Sequence, residues 1–295
     1  MQTRIRIRRG LATVVVAALA LLAPLSAVTP NFLWKATGKG GAVYLMGSVH
    51  LLTEAYYPLD PAITQAFKDS DLLVEEVDLD ELLAPEMQFS ILMRSRLPDG
   101  QSLESILEPD TMELFKSFTA DLGAAAETLM RFKPWMLATV VENLELQKAG
   151  FDPELGLDKH FFDLAKDGGK TVQGLETAEF QISLFDRMPM DQQSRFLHET
   201  LKQLATEKAN VTTLADAWRF GDAAAIERIV LADLKDDPVL YQRLLVERNR
   251  HWLPQIEALF QRPGRAFIVV GAAHLVGPDG LLQMLKAKGF TVEQM

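Results

Sequence analysis

Marked out as apolar and polar positions, the chain changes its period between its ends and its middle. Near the start, LWKAT and AVYLM are short strand-like runs around GKGG, which predicts a β-hairpin. YYPLDPAITQAF then supplies a helix start, with Asp60 as cap and Pro61 at the first helical position, and that helix ends near Ser70. LLVEEV follows as a buried strand. At the other end AFIVV reads as a strand, GPDGLLQMLKAKG as a helix closed by Gly289, and FTVEQ as a strand. Between the ends, from Glu81 to about Gly150, apolar residues recur at helical spacing: Met112, Phe115, Phe118, Leu122, then Trp135, Leu137, Val141, Leu144. Asp158 to Lys166 reads as a further helix and KTVQGL as a third buried strand. From Asp191 to Phe260 the pattern is helical again, broken at Gly221–Asp222 and around Asp236–Pro238.

These elements predict an α/β (α+β) fold. A central mixed sheet is built from N- and C-terminal strand–GxxH–helix–strand units, with a large helical insertion over about 81–260. No low-complexity run or Pro/Gly linker divides the chain, so residues 28–295 are expected to form one domain. The two units share more than their order. VYLMGSVHLL at Val43–Leu52 and FIVVGAAHLV at Phe267–Val276 each run apolar into Gly-x-x-His, then Leu and another apolar residue. In a parallel sheet both loops fall at the carboxyl ends of strands, where α/β folds bind ligands.

Composition narrows the setting. At 48 % hydrophobic and 24 % charged residues the chain is globular in type. Arg4, Arg6, Arg8 and Arg9 precede LATVVVAALALLA, and small residues follow around Ser26 and Ala27, the layout of a secretory signal peptide over 1–27. The apolar run is short for a membrane span, and an uncleaved N-terminal anchor is the alternative. Export to a bacterial periplasm or beyond is therefore expected, with any membrane association through the N-terminus alone. Removing 1–27 takes four arginines and no acids, moving the formal charge from −10 to −14. Such a surface repels phosphate backbones and argues against nucleic-acid partners. Without any cysteine the chain has no disulfide, thiolate metal site or cysteine nucleophile.

The candidate chemistry centres on His50 and His274. Glycine at a strand end lets the backbone turn sharply, and the histidine three residues on would stand at the sheet's rim. Neutral imidazole is a common ligand for divalent metals, and a catalytic metal wants a carboxylate as well. DLLVEEVDLD offers Glu76 first and Glu75 as its rival, since alternation sets them on opposite faces of the strand. Glu176, in GLET, ends the third strand. LDKHF adds Asp158 and His160, the latter among phenylalanines and read as a core residue, while LVERNRHW contributes Arg248 and Asn249, with arginine able to clamp a carboxylate or polarise a carbonyl. Ser48 is set aside as a nucleophile, because GSVH is not a G-x-S-x-G elbow and the matching position in the second motif is Ala272.

LWKATGKGGAVYLMGSVHLL, YPLDPAITQAFKDSDLLVEEVD, GLDKHFFDLAKDGGKTVQGLETAEFQ, LLVERNRHW and FIVVGAAHLVGPDGLLQMLKAKGFTV together resemble the TraB/PrgY/GumN family over essentially the whole mature chain. That family is similar to Tiki proteins, membrane-tethered metalloproteases, and more distantly to the ChaN and erythromycin-esterase folds. The resemblance implies His50 and His274 as metal or catalytic histidines and Glu76 as their partner. It also matches Glu176 and the Arg248–Asn249 pair to further family motifs. Glu75 stands where the family more often carries an apolar residue. The expected function is a metal-dependent hydrolase, most readily a peptidase, using manganese, cobalt or zinc held by His50, His274 and Glu76. Its partner would be a peptide or small-molecule substrate. The alternative is a non-catalytic exported protein that binds or sequesters a peptide or glycan.

Overall fold

LWKAT and AVYLM pair as expected. Strand β1 (Leu33–Thr37) runs antiparallel to β2 (Ala42–Ser48), with Leu33 opposite Met46 and the GKGG turn closed by Gly38 N–H donating to Gly41 O at 2.9 Å. The structure, a computed structural model, describes residues 30–206 and 210–295; the expected leader at 1–27 lies outside them. Helix α1 (Pro61–Lys68) starts on the Asp60 carboxylate, which accepts from Ala62 N, with Pro61 in the first turn. It leads into β3 (Leu72–Val77). Near the C-terminus come β5 (Ala266–Gly271), then β6 (Thr291–Gln294), with β4 (Thr171–Glu176) between β3 and β5 in sequence.

The six strands of the described residues form one mixed sheet in the order β4-β3-β5-β2-β1-β6. β4, β3, β5 and β2 are parallel, while β1 pairs antiparallel with both β2 and β6. Central β3 is buried at every position and β5 at all but its last, as a strand covered on both faces must be. β4 departs from the expected third buried strand: it forms the sheet edge, and only Leu175 and Glu176 at its carboxyl end are buried. An edge strand has one neighbour and half its surface left to solvent.

Two readings of the same supersecondary unit lie side by side. Ser48 of β2 is in register with Gly271 of β5, so the two Gly-x-x-His segments leave the sheet at the same end on adjacent parallel strands. Their continuations then differ. β3 inserts next to β5, whereas β6 crosses to the outside of β1.

After β3 the chain runs through α2 (Leu79–Leu83), α3 (Pro85–Arg94), α4 (Pro109–Thr119), α5 (Ala124–Leu129) and α6 (Pro134–Lys148), then α7 (Leu157–Asp167) before β4. Beyond β4 lie α8 (Ala178–Asp186), α9 (Met190–Thr206), α10 (Asn210–Arg219), α11 (Ala223–Asp236), α12 (Pro238–Tyr241) and α13 (Glu247–Leu259). Short α14 (Ala272–Leu275) and α15 (Leu281–Ala287) separate β5 from β6. The breaks fall where turn chemistry placed them: Asp222 and Asp237 each cap the following helix. The sheet core includes Leu45, Leu73, Phe161, Trp252, Phe267 and Ile268, whereas α4, α6 and α9 build a second apolar cluster from Leu107, Phe115, Leu137, Val141, Leu197 and Leu201. None of the described helices is long and apolar enough to cross a membrane.

Candidate active site

The carboxyl ends of β2, β5, β3 and β4 converge on one network of charged side chains. Its centre is Arg248, 7 % exposed, on α13. A π-helical turn at Gln242–Val246 precedes α13, and the widened turn lets the Leu244 carbonyl accept from Arg248 Nη1 at 3.2 Å. Nε donates to Glu176 Oε1 at 2.9 Å, and Nη2 donates to Glu176 Oε2 at 2.8 Å and to Glu76 Oε2 at 2.6 Å. The fork on Glu176 is bidentate, the strongest geometry for this pair. Nη1 also meets His274 Nε2 at 3.1 Å. A guanidinium has five N–H donors and no acceptor, so these bonds engage all of them. The Trp252 ring lies 4.7 Å from Cζ and covers one face of the cation.

That contact assigns the His274 tautomer. Arg248 can only donate, so Nε2 must be the acceptor and Nδ1 must carry the proton, which it gives to Asn249 Oδ1 at 2.7 Å. Asn249 is held in turn by donating from Nδ2 to the carbonyls of His274 and Asp279. Burial first, then Arg248 and His50, push the His274 pKa down to about 3 against the opposing pull of Glu76. His274 is a neutral imidazole in a dry setting. Glu76 shows the reverse balance: burial would raise its carboxyl, but Arg248, His274, His50 and the Gly271 N–H outweigh it and hold it well below the usual carboxylate range. Gly271 N donates to Glu76 Oε1 at 2.7 Å, and Gln181 Nε2 reaches Oε2 at 3.2 Å.

The glycines of the two motifs serve close approach rather than a sharp turn. Neither Gly47 nor Gly271 has positive φ. A Cβ on Gly271 would sit 3.2 Å from Glu76 Oε1, and one on Gly47 would fall 2.3 Å from the Phe32 ring. The chain does leave the sheet here, β2 ending at Ser48 and β5 at Gly271 before α14, but the backbone does so without the left-handed conformation that only glycine favours; the glycines supply space.

His50 is fixed differently. Asp158, in the first turn of α7, accepts from Ser48 Oγ at 2.9 Å on Oδ1 and from His50 Nδ1 at 2.9 Å on Oδ2. Asp158 is the main cause of a His50 pKa raised to about 9, opposed by burial and aided by Glu76 and Glu142. The side chain is nonetheless 67 % exposed, so water screens part of the pairing. With Nδ1 turned to Asp158, the exposed ring presents Nε2 to solvent. Glu142 on α6 is solvent-exposed and near enough to His50 for the two charges to act on each other; the surrounding protein raises its carboxyl and His50 lowers it.

The expected residues thus divide. Glu76, Glu176, Arg248, Asn249 and His274 form one network, and His50 with Asp158 a second pair joined to it by charge. Glu75, on the opposite face of β3, is 2 % exposed with both carboxylate oxygens lacking a hydrogen-bond partner. His160 is half-buried, tilted against the Tyr57 ring and edge-on to Phe161. Three participants carry no usable sequence signal: Glu142 and Gln181 sit in largely apolar helices whose pattern singles out neither, and Ser48, set aside as a nucleophile, instead supports Asp158.

A divalent ion is what the resemblance implies, and the donor chemistry can be tested against it. Glu76, Glu176 and His274 Nε2 are each engaged by Arg248. Among the described residues no group of three or more His, Asp or Glu side chains is placed to hold a metal. With a buried guanidinium donating to all three, the donors as arranged do not fit an ion.

Comparison with known proteins bears on the family. The chain is 27 % identical over 243 residues to the uncharacterized protein YbaP of Escherichia coli, covering 82 % of this chain and 87 % of that one. An uncharacterized protein of Treponema pallidum is 19 % identical over 274 residues, covering 86 % and 80 %. The metalloprotease TIKI2 of Danio rerio is 24 % identical over 301 residues, covering 85 % of this chain and 58 % of that protein. No solved structure matches. The model of the TraB/PrgY/gumN family matches residues 32–294, nearly all of the described chain. The protein belongs to the TraB/PrgY/gumN family.

Proposed function

We propose that the protein is a hydrolase that cleaves amide bonds of peptides at the surface beside His50, working outside the cytoplasm as its N-terminal sequence implies. The observation that carries this reading is the pairing of an accessible imidazole, fixed through Nδ1 by Asp158, with a rigid buried network of Glu76, Glu176, Arg248 and His274. The similarity to a protein named a metalloprotease supports the substrate class.

In this reading His50 and Glu142 share the proton work, because their surroundings push their affinities in useful directions. Asp158 keeps His50 protonated, so Nε2–H is the donor for the leaving amine. The surrounding protein raises the Glu142 carboxyl while its surface stays open to water, which suits it to accept a proton from water. Water adds its hydroxide to the carbonyl carbon, its proton goes to Glu142, the C–N bond breaks, and the amine leaves with the His50 proton. Solvent returns the proton from Glu142 to His50. Arg248 holds the floor of the site in one geometry, so little reorganisation is needed during reaction.

The test is a peptide library incubated with the purified chain from residue 28 onward, read by mass spectrometry, with and without added manganese, cobalt or zinc. Cleavage that falls by about 100-fold or more in His50→Ala and Glu142→Gln supports the assignment. Peptides bound without turnover, with His50→Ala losing affinity alone, would instead make this a sequestering protein.

A further inference from the structure

The place a divalent ion would take in this site is held by a side chain. Arg248 lies among Glu76, Glu176 and His274, the donors that paired Gly-x-x-His motifs and strand-end acids would offer a metal. It is no loose surface cation. All five N–H groups are engaged, Trp252 stacks on one face, and a π-turn shapes the backbone that carries it. Arginine cannot shed its charge in a protein. An ion entering between the two glutamates would therefore have to displace a buried guanidinium or lie against it, cation to cation, where little water screens the repulsion.

We propose that Arg248 is the resident cation of this site and that the site works without a bound divalent ion. The guanidinium does for the network what a metal does elsewhere. It neutralises two converging carboxylates, orients them through a planar fork, and fixes the neighbouring imidazole as the Nδ1–H tautomer. The consequence for catalysis rests on the hydrolase reading, whereas the assignment of the cation does not.

The deciding experiment reads metal binding rather than turnover. Wild-type protein and Arg248→Met, both dialysed against EDTA, are titrated with Mn²⁺, Co²⁺ and Zn²⁺ by calorimetry. The wild type is expected to show no binding tighter than about 0.1 mM. Arg248→Met, which leaves the two carboxylates facing each other uncompensated, is expected to gain a site for one ion that disappears when His274→Ala is added. Should Arg248→Met not fold, Arg248→Gln takes its place, and the wild-type titration stands by itself. A wild-type site tighter than that threshold and lost in His274→Ala or Glu76→Gln overturns the proposal. So does peptide cleavage that EDTA abolishes and a metal restores. A protein that binds no metal and cleaves nothing would refute the hydrolase reading while leaving Arg248 as the cation.

Discussion

Glu75 presents a cost the fold carries in plain view, and removing it should stabilise the protein. The side chain is 2 % exposed in the middle of the sheet, and neither carboxylate oxygen has a partner. Burial above all, with the nearby charges of Asp158, Asp78, Asp163 and Glu76, lifts its pKa from an ordinary 4.5 to about 9. Between those two values the folded protein keeps a proton that the unfolded chain has released. Stability should therefore be greatest below 4.5 and decline as pH rises toward about 9, by about 1.4 kcal/mol per pH unit from this group alone. Near neutrality the accumulated cost is about 3 kcal/mol. Glu75→Leu removes both the ionisable group and the unpaired oxygens. Allowing for imperfect packing of the new side chain, the gain should be about 2 kcal/mol near pH 7. In a chain of this size that is a rise in Tm of roughly 3–4 °C. Glu75→Gln serves as a control: it flattens the pH slope but keeps a buried polar group, so it should gain less. The assay is urea denaturation followed by circular dichroism at a series of pH values between 4 and 9, comparing the difference between wild type and variant. A difference that does not grow with pH, or a Glu75→Leu protein less stable throughout, would refute the reasoning and mean that Glu75 has a partner in solution.

Two further outcomes follow from the geometry. Asp158→Asn should lower the His50 pKa by about one unit or more toward 6.5, read from its imidazole resonances by NMR. Because the folded pKa is raised, the stabilisation from His50 is complete below 6.5 and vanishes as pH climbs through about 9; with the ring 67 % exposed it amounts to about 0.5–1 kcal/mol, and an unchanged titration would break the pairing. Gly47→Ala sets a Cβ 2.3 Å from the Phe32 ring and 3.1 Å from the Ala272 backbone, which should destabilise by about 1–3 kcal/mol in urea denaturation, and a variant as stable as wild type would show that the motif glycine is not there for room.

Local rules reached far along this chain. The hairpin, the Asp60–Pro61 helix start, the Gly221–Asp222 break and the apolar openings of β3 and β5 depend on residues within a few positions of one another, so a single sequence carries them. The burial of β4 depends on the opposite kind of information. TVQGL has the composition of an inner strand, and only the strand order places it at the edge. Likewise the spacing of Gly-x-x-His suggested a turn, whereas the need for glycine comes from Phe32 in one case and from the Glu76 carboxylate in the other.

By itself the sequence determined which elements form and that two histidines and several acids lie at strand ends, because alternation and motif position are properties of the chain's own order. It also set Glu75 and Glu76 on opposite faces of β3. Only the tertiary structure decided what each group meets. Glu76 finds the Gly271 amide and Arg248, 172 residues away, while Glu75 finds no partner at all. His50 receives a carboxylate across 108 positions and becomes the basic histidine; His274 receives an amide oxygen and an arginine and becomes the neutral one. The two motifs are written alike, but the charge on an imidazole depends on the groups within a few ångströms of its ring, and those come from elements far apart in the chain.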